Sequence, residues 1–129
     1  AVAKSSGAVK ITMVDVDQHR LNFAKNYVAD EIILAAKVIG EGTIEYSERF
    51  SKSIIREFGI EQADVVLECS GVECSTQTGI YMTKPGGTFV QIGMGSENVT
   101  LQLSDIAIRE ITIKGSFRYC NTYKKAVEM

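Results

Sequence analysis

The fold of this chain is decided by residues 9–34, which read VKITMVDVDQHRLNFAKNYVADEIIL. The apolar, β-rich run at 9–15 predicts a strand. Apolar side chains recur at helical spacing over 17–28, where Asp17 is a candidate N-cap, and the run EIIL at 31–34 predicts a second strand. A strand, a helix and a strand in this order are typical of a parallel β-α-β unit.

The rest of the chain repeats this alternation. We predict helices over 43–59, 73–82 and 105–110, strands over 63–68 and 111–116, a Pro-Gly-Gly turn at 85–87 before the strand TFVQIG, and a helix that opens at Asn121. In the first of these helices Phe50, Ile54 and Phe58 recur every four residues, and Gly59 can end it. The polar stretch at 37–43 is expected to be a loop. We therefore predict a Rossmann-like α/β fold, a doubly wound parallel sheet of order 3-2-1-4-5-6.

Length and composition limit the classes of function. The 129 residues are 45% apolar and 23% charged, which indicates one globular domain and excludes a disordered chain or a coiled coil. No apolar run approaches the ~18 residues of a membrane span. The net charge is −2 with scattered basic residues, which argues against nucleic acid or a membrane surface as partner. Three cysteines without a C-x-x-C pair encode no disulfide framework or structural zinc site, so we expect a cytoplasmic protein with a small-molecule ligand.

Asp15 is the first residue that points to a ligand. An acidic side chain that closes the second strand of a dinucleotide-binding fold can accept both hydroxyls of the adenosine ribose. The same carboxylate repels a 2′-phosphate, which favours NAD over NADP. Arg20 follows in the next helix and can reach back to this end of the cofactor. Taken alone, the two residues are equally compatible with a helix-capping carboxylate and an exposed helix charge.

The Gly-rich phosphate loop of such a fold is absent from the sequence. In the dinucleotide-binding fingerprint it precedes the acidic residue by about 20 residues, and only 14 residues stand before Asp15. Residues 1–8 look like the end of the helix that this loop opens. We therefore expect residues 1–129 to be a partial NAD-binding domain of a longer chain that lacks its first strand and Gly-rich loop. An intact domain without that loop is the alternative.

Four short motifs are more specific: ECSG at 68–71, PGGT at 85–88, GMG at 93–95 and FRYCNT at 117–122. In this order they resemble the nucleotide-binding domain of zinc-dependent medium-chain dehydrogenases. The resemblance is greatest to the polyol branch, which contains sorbitol dehydrogenases and xylitol dehydrogenases, also called D-xylulose reductases. It covers almost the whole chain and is weakest at 35–58.

The resemblance implies an NAD-dependent enzyme that oxidises a polyol such as sorbitol or xylitol to a ketose. It places the zinc ligands and the proton relay in a separate N-terminal domain, which this sequence does not contain, and it implies a homo-oligomeric parent, a dimer or tetramer. No residue of this chain is then catalytic or a metal ligand. It further implies cofactor contacts from Asp15, Arg20, Cys69, Ser70, Ile92, Gly93, Met94, Phe117 and Arg118, and substrate contacts from Arg118 and Tyr119.

Cys69, Met94 and Phe117 also fit packing roles, and Tyr119 also fits an amphipathic surface anchor. Glycine at position 93 is expected because a side chain would intrude on the cofactor. Glu68 and Glu73 are expected to end a strand and open a helix, not to form an acid–base pair. Two other functions stay open. One is a non-catalytic Rossmann-type nucleotide-binding or interaction domain. The other is a Rossmann-like methyltransferase, which is not expected to carry PGGTFVQIG followed by SFRYCNT.

Overall fold

A computed structural model describes residues 1–36 and 40–128. In chain order its elements are α1 (Val2–Ser5), β1 (Thr12–Asp15), α2 (Gln18–Tyr27), β2 (Glu31–Leu34), α3 (Thr43–Phe58), β3 (Ala63–Glu68), α4 (Glu73–Met82), β4 (Thr83–Gln91), α5 (Leu103–Ile108), β5 (Thr112–Gly115) and α6 (Tyr123–Val127). The chain divides into two compact units, residues 1–37 with 119–129 and residues 38–118. The loop predicted at 37–43 lies partly outside the described residues. Within the described ranges, no helix combines the length and the apolar composition that a membrane span requires.

The first unit contains the strand pair predicted from the start of the chain. β1 and β2 are parallel and in register over all four residues, and α2 connects them. Leu21 and Ala24 of α2 and Ile33 of β2 are buried. The helical spacing and the apolar strand therefore meet in one small core, as a β-α-β unit requires.

The predicted cap of α2 is confirmed. The Asp17 carboxylate accepts hydrogen bonds from the backbone N–H groups of His19 at 2.7 Å and Arg20 at 3.3 Å. These two bonds, that of Arg20 foremost, hold the pKa of Asp17 below its usual value. The Asp17 side chain thus satisfies two free N–H groups in the first turn of α2. Its negative charge also interacts favourably with the positive end of the helix dipole.

The first strand is shorter than the predicted 9–15. It begins at Thr12. The Ile11 N–H donates to the Asp30 carboxylate at 2.8 Å, and the Ile11 carbonyl accepts from the N–H groups of Asp30 at 2.9 Å and Glu31 at 3.1 Å. Val9 is almost fully exposed at 97%.

The second unit contains a parallel three-stranded sheet in the order β3-β4-β5. Ile80 of α4, Phe89 of β4, Ile106 of α5 and Ile111 form its buried apolar cluster. Together with the β1-β2 pair, these are the neighbours expected for strands 2-3 and 4-5-6 of the predicted order. The α/β class with parallel strands and helical connections is confirmed.

Helix α3 confirms one local prediction and corrects another. Gly59 caps it in the left-handed conformation at φ 61°, which glycine adopts without strain. Phe50 and Ile54 are buried as expected. Phe58 is 51% exposed, because α3 ends at this residue and no further helical turn covers it.

The predicted turn at 85–87 lies inside β4 instead of before it. The pairing register shifts so that residues 84–87 face the single residue Asp64 of β3, which makes a multi-residue bulge. Gly86 supplies the left-handed backbone at φ 72°, and its N–H donates to the Arg109 carbonyl at 2.8 Å.

Left-handed backbone at two residues other than glycine moves two predicted helix boundaries. Glu110 has φ 53°, and α5 ends at Ile108 instead of 110. Asn121 has φ 54°, so it cannot start a right-handed helix, and α6 begins at Tyr123.

Candidate functional site

In the first unit, the structure brings the predicted residues Asp15 and Arg20 together at the carboxyl end of β1. Oδ1 of Asp15 accepts from the Asp17 N–H at 2.9 Å, and Nη1 of Arg20 lies 3.6 Å from the same oxygen. The Asp15 side chain is 28% exposed. A carboxylate that the chain orients and leaves open to solvent can accept hydrogen bonds from a diol, while Arg20 offers donors beside it.

In the second unit, five predicted residues follow the ends of β3 and β4: Cys69, Ser70, Ile92, Gly93 and Met94. The backbone brings the two turns together, because the N–H groups of Ile92 and Gly93 both donate to the Glu68 carbonyl at 2.8 Å. Ile92 is 41% exposed and Met94 75% exposed. The carboxyl end of this sheet therefore presents apolar side chains to solvent, at the place where open α/β sheets bind ligands.

Three glycines allow the two turns to touch through their backbones. A Cβ atom on Gly93 would lie 2.2 Å from the Gly71 nitrogen, and one on Gly95 would lie 1.9 Å from the Gly71 oxygen. Glycine at 93 was predicted because a cofactor approaches the backbone there. In the structure, the chain's own backbone also leaves no room for a side chain at this position.

Glu68 is the residue that sequence reasoning undervalued. It ends β3 with only 3% of its surface exposed. Its Oε1 accepts from the Ser70 N–H at 2.9 Å, from the Ser70 hydroxyl and from the Ser75 hydroxyl at 2.9 Å. Its Oε2 accepts from the Gly71 N–H at 2.8 Å and from Nε2 of Gln91 at 2.7 Å. This carboxylate therefore holds the turn after β3 and the last residue of β4 at once.

The hydrogen bonds decide the charge of Glu68. Burial alone raises the pKa of this carboxyl, but the donors of Ser70, Gly71 and Ser75 outweigh burial, and its pKa lies below the usual value. Glu68 is therefore ionised at neutral pH. A fully ionised carboxylate that accepts five hydrogen bonds is a poor general acid or base, which agrees with the structural role expected for it.

Gln91 extends the same network across the β4 turn. Its Nε2 also donates to the Gly93 carbonyl at 2.8 Å, and its Oε1 accepts from the Thr76 hydroxyl at 3.4 Å. The side chain thus connects Glu68, α4 and the Gly93 turn. The sequence carried one signal for this cluster: serines at 70 and 75 that follow a carboxylate at a strand end.

Cys69 is not built as a nucleophile. Partial burial of its sulfur and the negative charge of Glu68 raise the pKa of the Cys69 thiol. The thiol lies 3.7 Å from the Leu67 carbonyl, to which it donates. A protonated thiol is unreactive at neutral pH, so this position supplies surface to the site instead of covalent chemistry.

Phe117 and Arg118 end the described part of the second unit. The Arg118 guanidinium lies 5.0 Å from the centre of the Phe117 ring, in cation–π contact, and its backbone is left-handed at φ 54°. Tyr119 belongs to the first unit, where its ring meets Tyr123 edge-to-face at 5.0 Å. All three predicted residues are exposed, with Phe117 at 69% and Tyr119 at 64%.

Metal binding has no site in the part of the chain that the structure describes. Among residues 1–36 and 40–128, no group of three His, Cys, Asp or Glu side chains converges as zinc ligands would. His19 is exposed on α2, where only its backbone is used by the Asp17 cap.

Comparison with known proteins assigns the chain to a family. The profile of the family described as "Zinc-binding dehydrogenase" matches residues 1–129. Sorbitol dehydrogenase of Rattus norvegicus is 43% identical over 128 residues, covering 99% of this chain and 34% of the rat protein. A protein of Arthroderma otae named "Probable D-xylulose reductase A" is 40% identical, covering 100% of this chain and 35% of that protein. The chain thus spans about a third of the length of these relatives.

A solved structure agrees with the fold. The crystal structure of a zinc-binding dehydrogenase from Sinorhizobium meliloti 1021, bound to NADP, superposes with a TM-score of 0.78. It covers 98% of this chain and 35% of that chain at 21% identity. The likeness confirms the Rossmann-like class.

The glycine contact generates the first prediction. We expect Gly93→Ala in the full-length protein to lower the free energy of unfolding by about 3 kcal/mol or more, because the new Cβ overlaps the Gly71 backbone. Gly115→Ala at the end of β5 is the control, since no atom lies within 4 Å of the added Cβ, and it should change stability by less than about 0.5 kcal/mol. Urea unfolding measures both. Equal stability of the two variants would contradict the backbone contact.

The charge of Glu68 leads to a second prediction, which concerns the pH dependence of stability. Because its pKa is lowered by folding, its contribution to stability is present above the unfolded-state pKa and is lost as the pH falls through the folded-state value. Glu68→Gln should therefore lower the unfolding free energy at pH 7 by about 2–4 kcal/mol and flatten its decline below about pH 5.

Glu41→Gln is the control for that measurement. The hydrogen bonds from Arg49, at 2.7 and 2.8 Å, lower the pKa of Glu41 as well. Arg49 is 48% exposed, so added salt should weaken the contribution of this pair, whereas that of Glu68 should persist. An acid limb of the stability curve that is the same in wild type and Glu68→Gln would show that folding does not lower the pKa of Glu68.

Proposed function

Because the chain belongs to the zinc-binding dehydrogenase family, we propose that it is the NAD-binding part of a polyol dehydrogenase, which oxidises a sugar alcohol such as sorbitol or xylitol to a ketose. One geometric observation carries the proposal: β1 ends in a carboxylate, Asp15, that Arg20 flanks and that stays open to solvent. The high identity to sorbitol dehydrogenase over the whole chain supports the substrate class. A methyltransferase is excluded by the family.

The adenosine end fits NAD. The partly exposed Asp15 carboxylate can accept both ribose hydroxyls, and the Arg20 guanidinium beside it can donate to the same group. The Sinorhizobium protein binds NADP, but its 21% identity bears on the fold alone. A 2′-phosphate would bring a second negative charge against Asp15, so the residues of this chain favour NAD.

The nicotinamide end would lie over the turns that follow β3 and β4. When bound, NAD accepts the hydride from the carbinol carbon of the substrate. Ile92 and Met94 offer exposed apolar surface for a planar ring, and Cys69 and Ser70 line the edge. These residues would position the nicotinamide ring and would not take part in proton transfer. Hydride transfer requires such positioning because the donor and acceptor carbons must lie at near-contact distance.

Arg118 and Tyr119 would bind the substrate, and Phe117 with Arg118 would flank the nicotinamide ribose. A guanidinium and a phenol offer donors to polyol hydroxyls. The left-handed backbone at Arg118 supports a functional role, because a residue other than glycine adopts it at a cost. The cation–π contact with Phe117 orients the guanidinium.

Zinc does not fit the described residues of this chain, which bring no ligand set together. Since the chain spans about a third of the length of its relatives, we propose that the zinc ligands, the proton relay, the first strand and the Gly-rich loop lie in parts of a longer protein outside residues 1–129. We further propose a cytoplasmic homo-oligomer as the parent. NADH binding by a full-length protein that shows no polyol turnover would favour the non-catalytic alternative.

The cofactor assignment predicts the effect of Asp15→Ser in the full-length protein. Loss of the carboxylate should weaken NAD and relieve the repulsion of a 2′-phosphate, shifting the NAD/NADP ratio of kcat/KM by about tenfold or more. Asp17→Ser is the matched control, because serine also caps helices and this carboxylate is occupied by the helix N–H groups. An unchanged NAD/NADP ratio of kcat/KM in Asp15→Ser would show that Asp15 does not bind the ribose.

The substrate assignment predicts the effect of Arg118→Ala. A donor that binds polyol hydroxyls in the transition state should lower kcat/KM for sorbitol or xylitol about tenfold to a hundredfold when removed. Lys114→Ala, an exposed cation on β5, should leave kcat/KM within about twofold. Both should keep the wild-type melting temperature within a few degrees. Near wild-type kcat/KM in Arg118→Ala would show that this arginine does not bind the substrate.

A further inference from the structure

Glu68 is not among the predicted cofactor or substrate contacts, yet four of the five donors to its carboxylate belong to, or adjoin, the turns proposed to line the cofactor groove. We propose that the buried carboxylate of Glu68 is a positioning residue that fixes the turns after β3 and β4 as one surface for the nicotinamide end of the dinucleotide. This inference rests on the proposed function and assigns it a residue that contacts neither cofactor nor substrate.

The contacts on the β3 side determine the path of the chain through Ser70 and Gly71. Both N–H groups point at the carboxylate, at 2.9 and 2.8 Å, and the Ser70 hydroxyl joins them. The Ser70 oxygen in turn accepts from the Val72 N–H at 3.1 Å. Cys69 lies in the chain between Glu68 and these donors, so the same turn determines the orientation of its side chain.

The contacts on the β4 side carry the constraint to the second turn. Gln91 donates to Glu68 and to the Gly93 carbonyl through the same nitrogen, at 2.7 and 2.8 Å. The Glu68 carbonyl accepts from Ile92 and Gly93. A shift of the carboxylate therefore moves both turns, including the exposed side chains of Ile92 and Met94.

The chemistry of the carboxylate argues for a positional role beyond stability. Burying a charge is costly, and an apolar residue of similar volume often stabilises a fold as well or better. The apolar cluster of this unit, which contains Ile80 and Phe89, does not include Glu68. The carboxylate fixes the direction of its partners, because five donors from the turn after β3, from α4 and from the end of β4 converge on its two oxygens. No neutral side chain accepts them all.

Two probes separate positioning from general stability. NADH carries the nicotinamide, whereas ADP-ribose has the same adenosine end and lacks that ring. In the full-length protein, well below its melting temperature, Glu68→Gln should weaken NADH binding about tenfold or more and leave ADP-ribose binding within about twofold, as measured by titration calorimetry. Ser75→Ala removes one hydrogen bond from the same carboxylate without touching either turn, and it should leave both dissociation constants within about threefold.

If Glu68→Gln does not fold, Gln91→Ala provides the second test, because it cuts the β4 link and keeps the donors of Ser70 and Gly71. It should show the same selective loss of NADH affinity. Equal weakening of both probes, or unchanged NADH binding, would overturn the inference and leave the proposed function standing. A wild-type protein that binds neither probe would overturn the proposed function and this inference with it.

Discussion

The structure of the second unit depends on one buried charge. Glu68 ends β3 where the chain must turn, and it is ionised in a place with almost no contact with water. Such a charge is tolerated only when hydrogen bonds replace its hydration. Here the donors come from Ser70 and Gly71 after β3, from α4 and from the end of β4. The hydrogen bonds that satisfy the charge therefore also fix the turns.

The glycines follow from that constraint. Once Ser70 and Gly71 fold back on Glu68, the turn after β4 must pass within backbone contact of them, and a Cβ at 71, 93 or 95 would overlap main-chain atoms. The motifs ECSG and GMG are therefore two halves of one contact, though more than 20 residues separate them in the chain. The surface they form carries Cys69, Ile92 and Met94, which the proposed function assigns to the cofactor.

Local signals were readable from the sequence and long-range ones were not. The spacing of apolar residues predicted the β-α-β unit, Asp17 its cap and Gly59 the end of α3, because each depends on neighbours within a few residues. The bulge at Gly86 depends on pairing with the partner strand β3. The late start of α6 depends on the left-handed backbone at Asn121. Glu68 was expected to end a strand, but its link to the end of β4 was not predicted because Gln91 lies 23 residues away. The sequence pointed to Asp15 and Arg20 because they are only five residues apart, and the start of α2 brings them together.

Amide hydrogen exchange of the full-length protein tests the role of Glu68 most directly. The N–H groups of Ser70 and Gly71 donate to the buried Glu68 carboxylate, so their protection from exchange reports on these two hydrogen bonds. The account predicts that Glu68→Gln exchanges these two amides at least about tenfold faster, while the amides of α4 keep wild-type rates. Unchanged protection at Ser70 and Gly71 in that variant would contradict it.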